Sequence, residues 1–143
     1  MKIVDLKIKD DRVNITSKDR LNLTETEGIL EESATREDYK QVSILSEAIR
    51  KFVDGGSIRG LCTERFYENI TIRDFDPSQI SIGSRLKIND SLQEVRVIGK
   101  GCYEGCQLLG DKGHCQLYDG VVFTRILKAG TIAIGDEVVA FKK

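Results

Sequence analysis

The chain has 143 residues, with 22 Lys and Arg against 23 Asp and Glu, so its formal net charge of −1 supplies no general attraction to phosphate backbones or anionic lipid. Apolar residues make up 40% and there is a single proline, which excludes a disordered or collagen-like chain and suits one self-sufficient core. The opening Met1-Lys2-Ile3-Val4-Asp5 lacks an apolar leader core and no run approaches membrane-span length, so we expect one cytoplasmic domain over 1–143, with no nucleic-acid or membrane partner.

Lys2 to Lys9 alternates, with Val4, Leu6 and Ile8 on one side and Lys7 and Lys9 on the other, which is the period of a half-buried strand. Asp10-Asp11 turns the chain, and Val13-Asn14-Ile15 and Leu21-Asn22-Leu23 repeat the two-residue period as short antiparallel pieces do. Ser33 to Lys40 is polar, and Thr35-Arg36-Glu37-Asp38 reads as a helix-start box or a solvated loop. Gln41 to Leu45 reads as a strand. Ser46 is a natural helix N-cap with Glu47 in the first turn, Ala48, Ile49, Phe52 and Val53 form one apolar face, and Gly55-Gly56 closes the helix.

Beyond it, Asn69 to Arg73, Arg85 to Ile88, Glu94 to Val97, Val121 to Leu127 and Glu137 to Phe141 read as strands. Asp76-Pro77 breaks the first pair, Asn89-Asp90 suits a hairpin, and Gly130 and Gly135-Asp136 punctuate the end. Many short strands with one or two short helices predict a mainly β fold, a closed or nearly closed β-barrel, since closure removes unpaired edges.

Gly99 to Gly120 departs from strand patterning. It is dense in glycine and holds Cys102, Cys106, Cys115 and the only histidine, His114. Together with Cys62 there are four cysteines, and with no export signal a reduced state is expected, so metal binding or thiol chemistry is the question rather than disulfides. Three readings stand side by side. A cysteine beside Lys100 would have its thiol pKa lowered, giving a thiolate able to accept sulfur as a persulfide or to bind a soft metal. Cys102, Cys106 and either His114 or Cys115, with Cys62 arriving from elsewhere, would ligate zinc, although the spacing lacks paired C-x2-C knuckles. Cys106 and Cys115 would otherwise be small buried hydrophobes.

From about Gly28 to Val138 the chain resembles the MOSC family, named for the carboxy-terminal domain of molybdenum-cofactor sulfurases. The resemblance rests on ordered landmarks: Arg65-Phe66-Tyr67-Glu68-Asn69-Ile70 followed by Ile82-Gly83-Ser84-Arg85-Leu86, then Gly99-Lys100-Gly101-Cys102, then Gly120 to Gly130 with Gly135-Asp136. Gly101 stands where the family has proline, and no histidine passage precedes Gln41-Val42-Ser43.

The resemblance implies a β-barrel of the pyruvate-kinase barrel type and makes Cys102 the working thiol. It would carry sulfur abstracted by a pyridoxal-phosphate-dependent cysteine desulfurase, or ligate the metal of a molybdenum cofactor (molybdopterin). Pyridoxal phosphate would then belong to the partner, and the acceptor would be a metal–sulfur or molybdopterin species handled by cofactor-biosynthesis proteins or molybdoenzymes. Arg65, Asn69, Lys100 and Arg125 are the candidates to hold the cofactor, with Arg59 a further phosphate fork and Cys102, Cys106 and Cys115 the metal candidates. A zinc-stabilised interaction domain and a molybdenum-dependent reductase of N-hydroxylated substrates are the alternatives.

Overall fold

The computed structural model describes residues 1–12, 14–32, 40–55, 67–99 and 120–142. These residues are mainly β. The strands are β1 (Lys2–Lys9), β2 (Ile15–Ser17), β3 (Arg20–Thr24), β4 (Gly28–Ile29) and β5 (Val42–Ser46); after the helix α1 (Glu47–Gly55) come β6 (Ile70–Arg73), β7 (Arg85–Ile88), β8 (Ser91–Ile98), β9 (Val122–Lys128), β10 (Gly130–Ala133) and β11 (Val138–Phe141).

Eight strands form one mixed sheet in the order β11-β7-β8-β9-β5-β6-β1-β2, and β10-β3-β4 form a second. Among the described residues β5 and β6 are the only parallel pair, and α1 lies on the crossover between them, as parallel neighbours require. The β11 side of the large sheet also meets the start of β1. Ile3 N donates to Asp136 O at 3.0 Å, Gly135 N to Ile3 O at 2.8 Å, and Val138 N to Met1 O at 2.8 Å.

Alternation decides what is buried. Leu6 and Ile8 of β1, Val42 and Ile44 of β5, Ile70 and Ile72 of β6, and Leu86 and Ile88 of β7 enter one apolar core, while their sequence neighbours point the other way. Polar side chains are buried with them on β8 and β9: Ser91, Gln93 and Thr124 are fully buried, and Thr124 Oγ1 donates to Gln93 Oε1 at 2.5 Å. The Gln93 amide nitrogen has no partner among the described residues.

Several expectations are refined. Asn89-Asp90 does form the β7–β8 hairpin, with Ile88 opposite Ser91 and Asn89 at φ 53°. Strand β8 begins at Ser91, earlier than its Glu94 to Val97 reading, and Gly130 opens β10 rather than merely ending a strand. A Cβ on Gly130 would lie 2.9 Å from both Cβ and backbone N of Ser91, so the glycine lets two strands meet backbone to backbone.

The helix begins as its sequence predicts, with Ile49 N donating to Ser46 Oγ at 3.1 Å. Its buried face is different. Phe52 is 53% exposed and Ala48 is exposed, whereas Ile49 and the charged Glu47 and Arg50 are half-buried. The sheet surface beneath α1 is polar at that point, offering a carboxylate rather than hydrocarbon, so an ion pair sets the helix rotation. No described helix is long and apolar enough to cross a membrane.

Candidate functional site

Three consecutive side chains at the head of β6, Tyr67, Glu68 and Asn69, are buried and polar, an arrangement that survives only if each finds partners. Asn69 does so completely. Its Oδ1 accepts from Ser43 N at 3.0 Å and Ser43 Oγ at 3.1 Å, and its Nδ2 donates to Lys7 O at 3.0 Å and Glu32 Oε2 at 2.7 Å. A carbonyl and a carboxylate can only accept, which fixes the orientation of the amide. Glu32 collects three donors through Lys9 N at 2.7 Å, Tyr67 OH at 3.0 Å and Asn69. Lys9 Nζ stands 5.4 Å from the Tyr67 ring centroid.

Glu68 is the second centre. It takes a two-pronged contact from Arg50, Nε to Oε2 at 3.1 Å and a terminal nitrogen to Oε1 at 2.5 Å, with Lys7 Nζ at 3.2 Å and Thr71 Oγ1 at 2.7 Å on Oε2. Burial by itself pushes this carboxyl upward, but the Arg50 hydrogen bonds and charge, with Lys7 and Thr71, outweigh it and hold Glu68 below the ordinary carboxylate range. The carboxylate is thus ionised and spoken for. Its chemistry is structural, tying α1 to β6 and β1, and Arg73 to Glu47 at 3.1 Å adds an exposed tie at the start of the helix.

Where β8 leaves the sheet and β9 returns, Ile98 lies opposite Val122, and Gly99 N donates to Val121 O at 2.6 Å. Gly99 has φ 88°, a left-handed conformation suited to glycine. A Cβ on Gly120 would sit 2.4 Å from Ile49 Cδ1, so α1 packs directly beside this stem. The stem therefore holds Gly99 beside Val121 at one place on the sheet, next to the start of α1.

Of the residues singled out from sequence, Cys102, Cys106, Cys115, Arg65 and Lys100 lie outside the described residues, as do Cys62, His114 and Arg59. Asn69 and Arg125 are described. Asn69 heads β6, whereas Arg125 is exposed on β9, opposite Glu94, and β5 lies between the two strands. The Asn69 amide has both donors and both acceptor positions taken by the protein itself, and Arg125 faces solvent. Arg50, Lys7, Glu32 and Glu68 were missed as site residues. Glu68 carried a readable signal, a charged residue between Tyr67 and Asn69 directly ahead of an apolar strand, but its partners lie 18 and 61 positions away.

No family model matches the chain, and no curated protein sequence matches it. Solved structures do. The chain is similar to the YuaD protein from Bacillus subtilis, with TM-score 0.73 at 15% identity, covering 99% of this chain and 96% of that one. It is also similar to YiiM from Geobacillus stearothermophilus, TM-score 0.63 at 17% identity over 99% and 75% of the two chains. YiiM from Escherichia coli gives TM-score 0.59 at 16% identity over 97% and 70%. At these identities the fold is what is shared.

Proposed function

We propose that this chain is a MOSC-type domain, its large sheet closed into a barrel by the β1 contacts with residues 135–138, whose function is to carry sulfur on Cys102. Two findings support the reading: the mainly β fold shared with the YuaD and YiiM proteins, and the order of motifs resembling the MOSC family that ends in Gly99-Lys100-Gly101-Cys102. The observation that carries it is the Gly99–Val121 hydrogen bond at the ends of β8 and β9, three residues before Cys102 in sequence.

In the proposed reaction the Cys102 thiolate attacks the outer sulfur of a persulfide on a pyridoxal-phosphate-dependent cysteine desulfurase. The donor S–S bond breaks, a new S–S bond forms at Cys102, and the donor cysteine leaves as a thiolate, so one sulfur atom moves without net oxidation. The neighbouring Lys100 in sequence favours the ionised thiol. The acceptor is a metal–sulfur or molybdopterin species, and the partners are the desulfurase and cofactor-biosynthesis proteins or molybdoenzymes. Molybdenum cofactor, if bound, would supply oxygen- or sulfur-atom transfer at the metal; the described residues assign it no cradle.

Intact-protein and peptide mass spectrometry after incubation with a cysteine desulfurase and cysteine tests the proposal. A 32 Da adduct on Cys102, absent in Cys102→Ser and retained in Cys106→Ser and Cys115→Ser, is the expected result. An unmodified Cys102, or stoichiometric zinc with unfolding on chelation, overturns it.

A further inference from the structure

Although the chain is nearly neutral, its charge is segregated. On the surface of the large sheet, Phe141 of β11 lies opposite Arg85 of β7, Arg85 opposite Glu94 of β8, and Glu94 opposite Arg125 of β9. The next row in the same direction runs Val139, Lys87, Leu92, Lys128. Directly opposed residues share a face, so these two rows are one surface, pointing away from the core residues Leu86, Ile88 and Val95. Arg96, two places on from Glu94 along β8, joins them and donates to Glu94 Oε1 at 2.9 Å.

Five cations therefore surround one carboxylate. Arg96 takes one oxygen of Glu94 and Arg85 Nε stands 3.9 Å from the other, while Lys87, Arg125 and Lys128 make no ion pair among the described residues. The sealed Nε–H of Arg85 has no hydrogen-bond acceptor among the described residues. The carboxylates at the margin are occupied elsewhere: Glu25 Oε1 accepts from Ala129 N at 2.9 Å, and Glu137 faces the Met1 amino group at 3.7 Å. Within a Debye length of about 8–10 Å this local excess, rather than the whole-chain charge, is what a partner meets.

Apolar side chains stand among the cations. Val139 is 55% and Phe141 42% exposed, and Leu92 is half-buried between Lys87 and Lys128. Across four strands spaced about 4.8 Å apart the face spans roughly 14 Å, enough for a short extended or helical segment. Arginine forks matched to carboxylates, with an aromatic and aliphatics beside them, are the composition of a protein interface. Single-strand nucleic-acid binders instead line a long basic groove with several stacking aromatics, and this face has one phenylalanine.

We propose that the outer face of β11, β7, β8 and β9 docks an acidic segment of a partner protein, its carboxylates on Arg85, Arg96 and Arg125 and an apolar residue on Val139 and Phe141. The proposal does not depend on the Cys102 reading.

Fluorescence anisotropy on the full chain tests it with two labelled probes of equal charge: a peptide of about sixteen residues alternating glutamates with leucine and phenylalanine, and a uridine oligonucleotide, at about 50 mM salt. The peptide should bind, more weakly as salt rises, and K87E/R96E/R125E should weaken it about tenfold or more. The uncharged K87Q/R96Q/R125Q, with circular dichroism confirming its fold, should give an intermediate loss, V139S/F141S should also weaken binding, and R12E/K51E elsewhere on the surface should leave it unchanged. Tighter binding of the oligonucleotide than of the peptide, or equal peptide affinity in K87E/R96E/R125E and the parent, overturns the proposal.

Discussion

Asn69 and Ser43 grip each other from both sides: Ser43 gives its N–H and hydroxyl to the Asn69 amide oxygen, and the Asn69 N–H lies 3.0 Å from both the carbonyl and the hydroxyl oxygen of Ser43. The parallel register of β5 and β6 starts at this junction, and Lys7 and Glu32 extend it to β1 and the segment after β4. Replacing Asn69 by alanine strands buried donors and acceptors and should cost about 3 kcal/mol, whereas Ser43→Ala removes only a hydroxyl and should cost about 1 kcal/mol. Urea denaturation of the two variants gives the order directly; the reverse order would mean that the amide is not the junction.

The Arg50–Glu68 pair makes an asymmetric prediction. Arg50→Met leaves the sealed Glu68 carboxylate with Lys7 as its only remaining cation in the cluster and should destabilise by about 3 kcal/mol, while Arg50→Met with Glu68→Gln should recover much of the loss. A double variant no more stable than Arg50→Met would show that the pair's charges are not what holds α1 down.

Acid should act through the same carboxylate. The folded pKa of Glu68 is depressed below 4.5, so its contribution is present in full above the unfolded value and is lost as pH falls through the folded one. Between about pH 5 and pH 3 the urea midpoint should fall, and R50M/E68Q should show a shallower fall than the parent. Identical slopes in the two proteins would remove Glu68 from the account.

Inside the core, Thr124→Val deprives the buried Gln93 of its one hydrogen bond and should cost about 2 kcal/mol. Adding Gln93→Leu removes the stranded amide altogether and should restore stability to near the parent level or above it. Thermal melts of the single and double variants decide this, and an additive double loss would count against a purely polar cost.

Two glycine-to-alanine changes should part company. At Gly130 the new methyl meets the backbone of Ser91, which cannot yield without moving a strand, so a loss of about 1–3 kcal/mol is expected. At Gly120 it meets the tip of Ile49, whose side chain can rotate, and the loss should stay below about 1 kcal/mol. Chemical denaturation of both variants ranks them.

The strands were legible where alternation ran locally, as in β7, β11 and β1 from Leu6 onward; at the start of β1 a register shift between Ile3 and Asp5 puts Ile3 in the core in place of the expected Val4, and β6 is buried at three successive residues. Strands β4 and β10 were not, since each is short, opens on glycine and owes its place to pairing with β3. The helix was readable as a helix but not in its facing, because the carboxylate that turns Arg50 inward sits 18 residues downstream. Asn69 was legible as a residue of interest through its motif, yet the three residues that take its four side-chain hydrogen bonds lie up to 62 positions away, beyond any local pattern. The thiol reading came from resemblance and the glycine-dense stretch.

The stem at Gly99 and Val121 separates two kinds of constraint along the chain. Register in the sheet is settled on the strand side of that single hydrogen bond, by Ile98 against Val122 and the pairs behind it. Every one of those pairs lies outside positions 100–119, so selection on the sheet's register and selection on the proposed Cys102 thiol act on separate lengths of the chain.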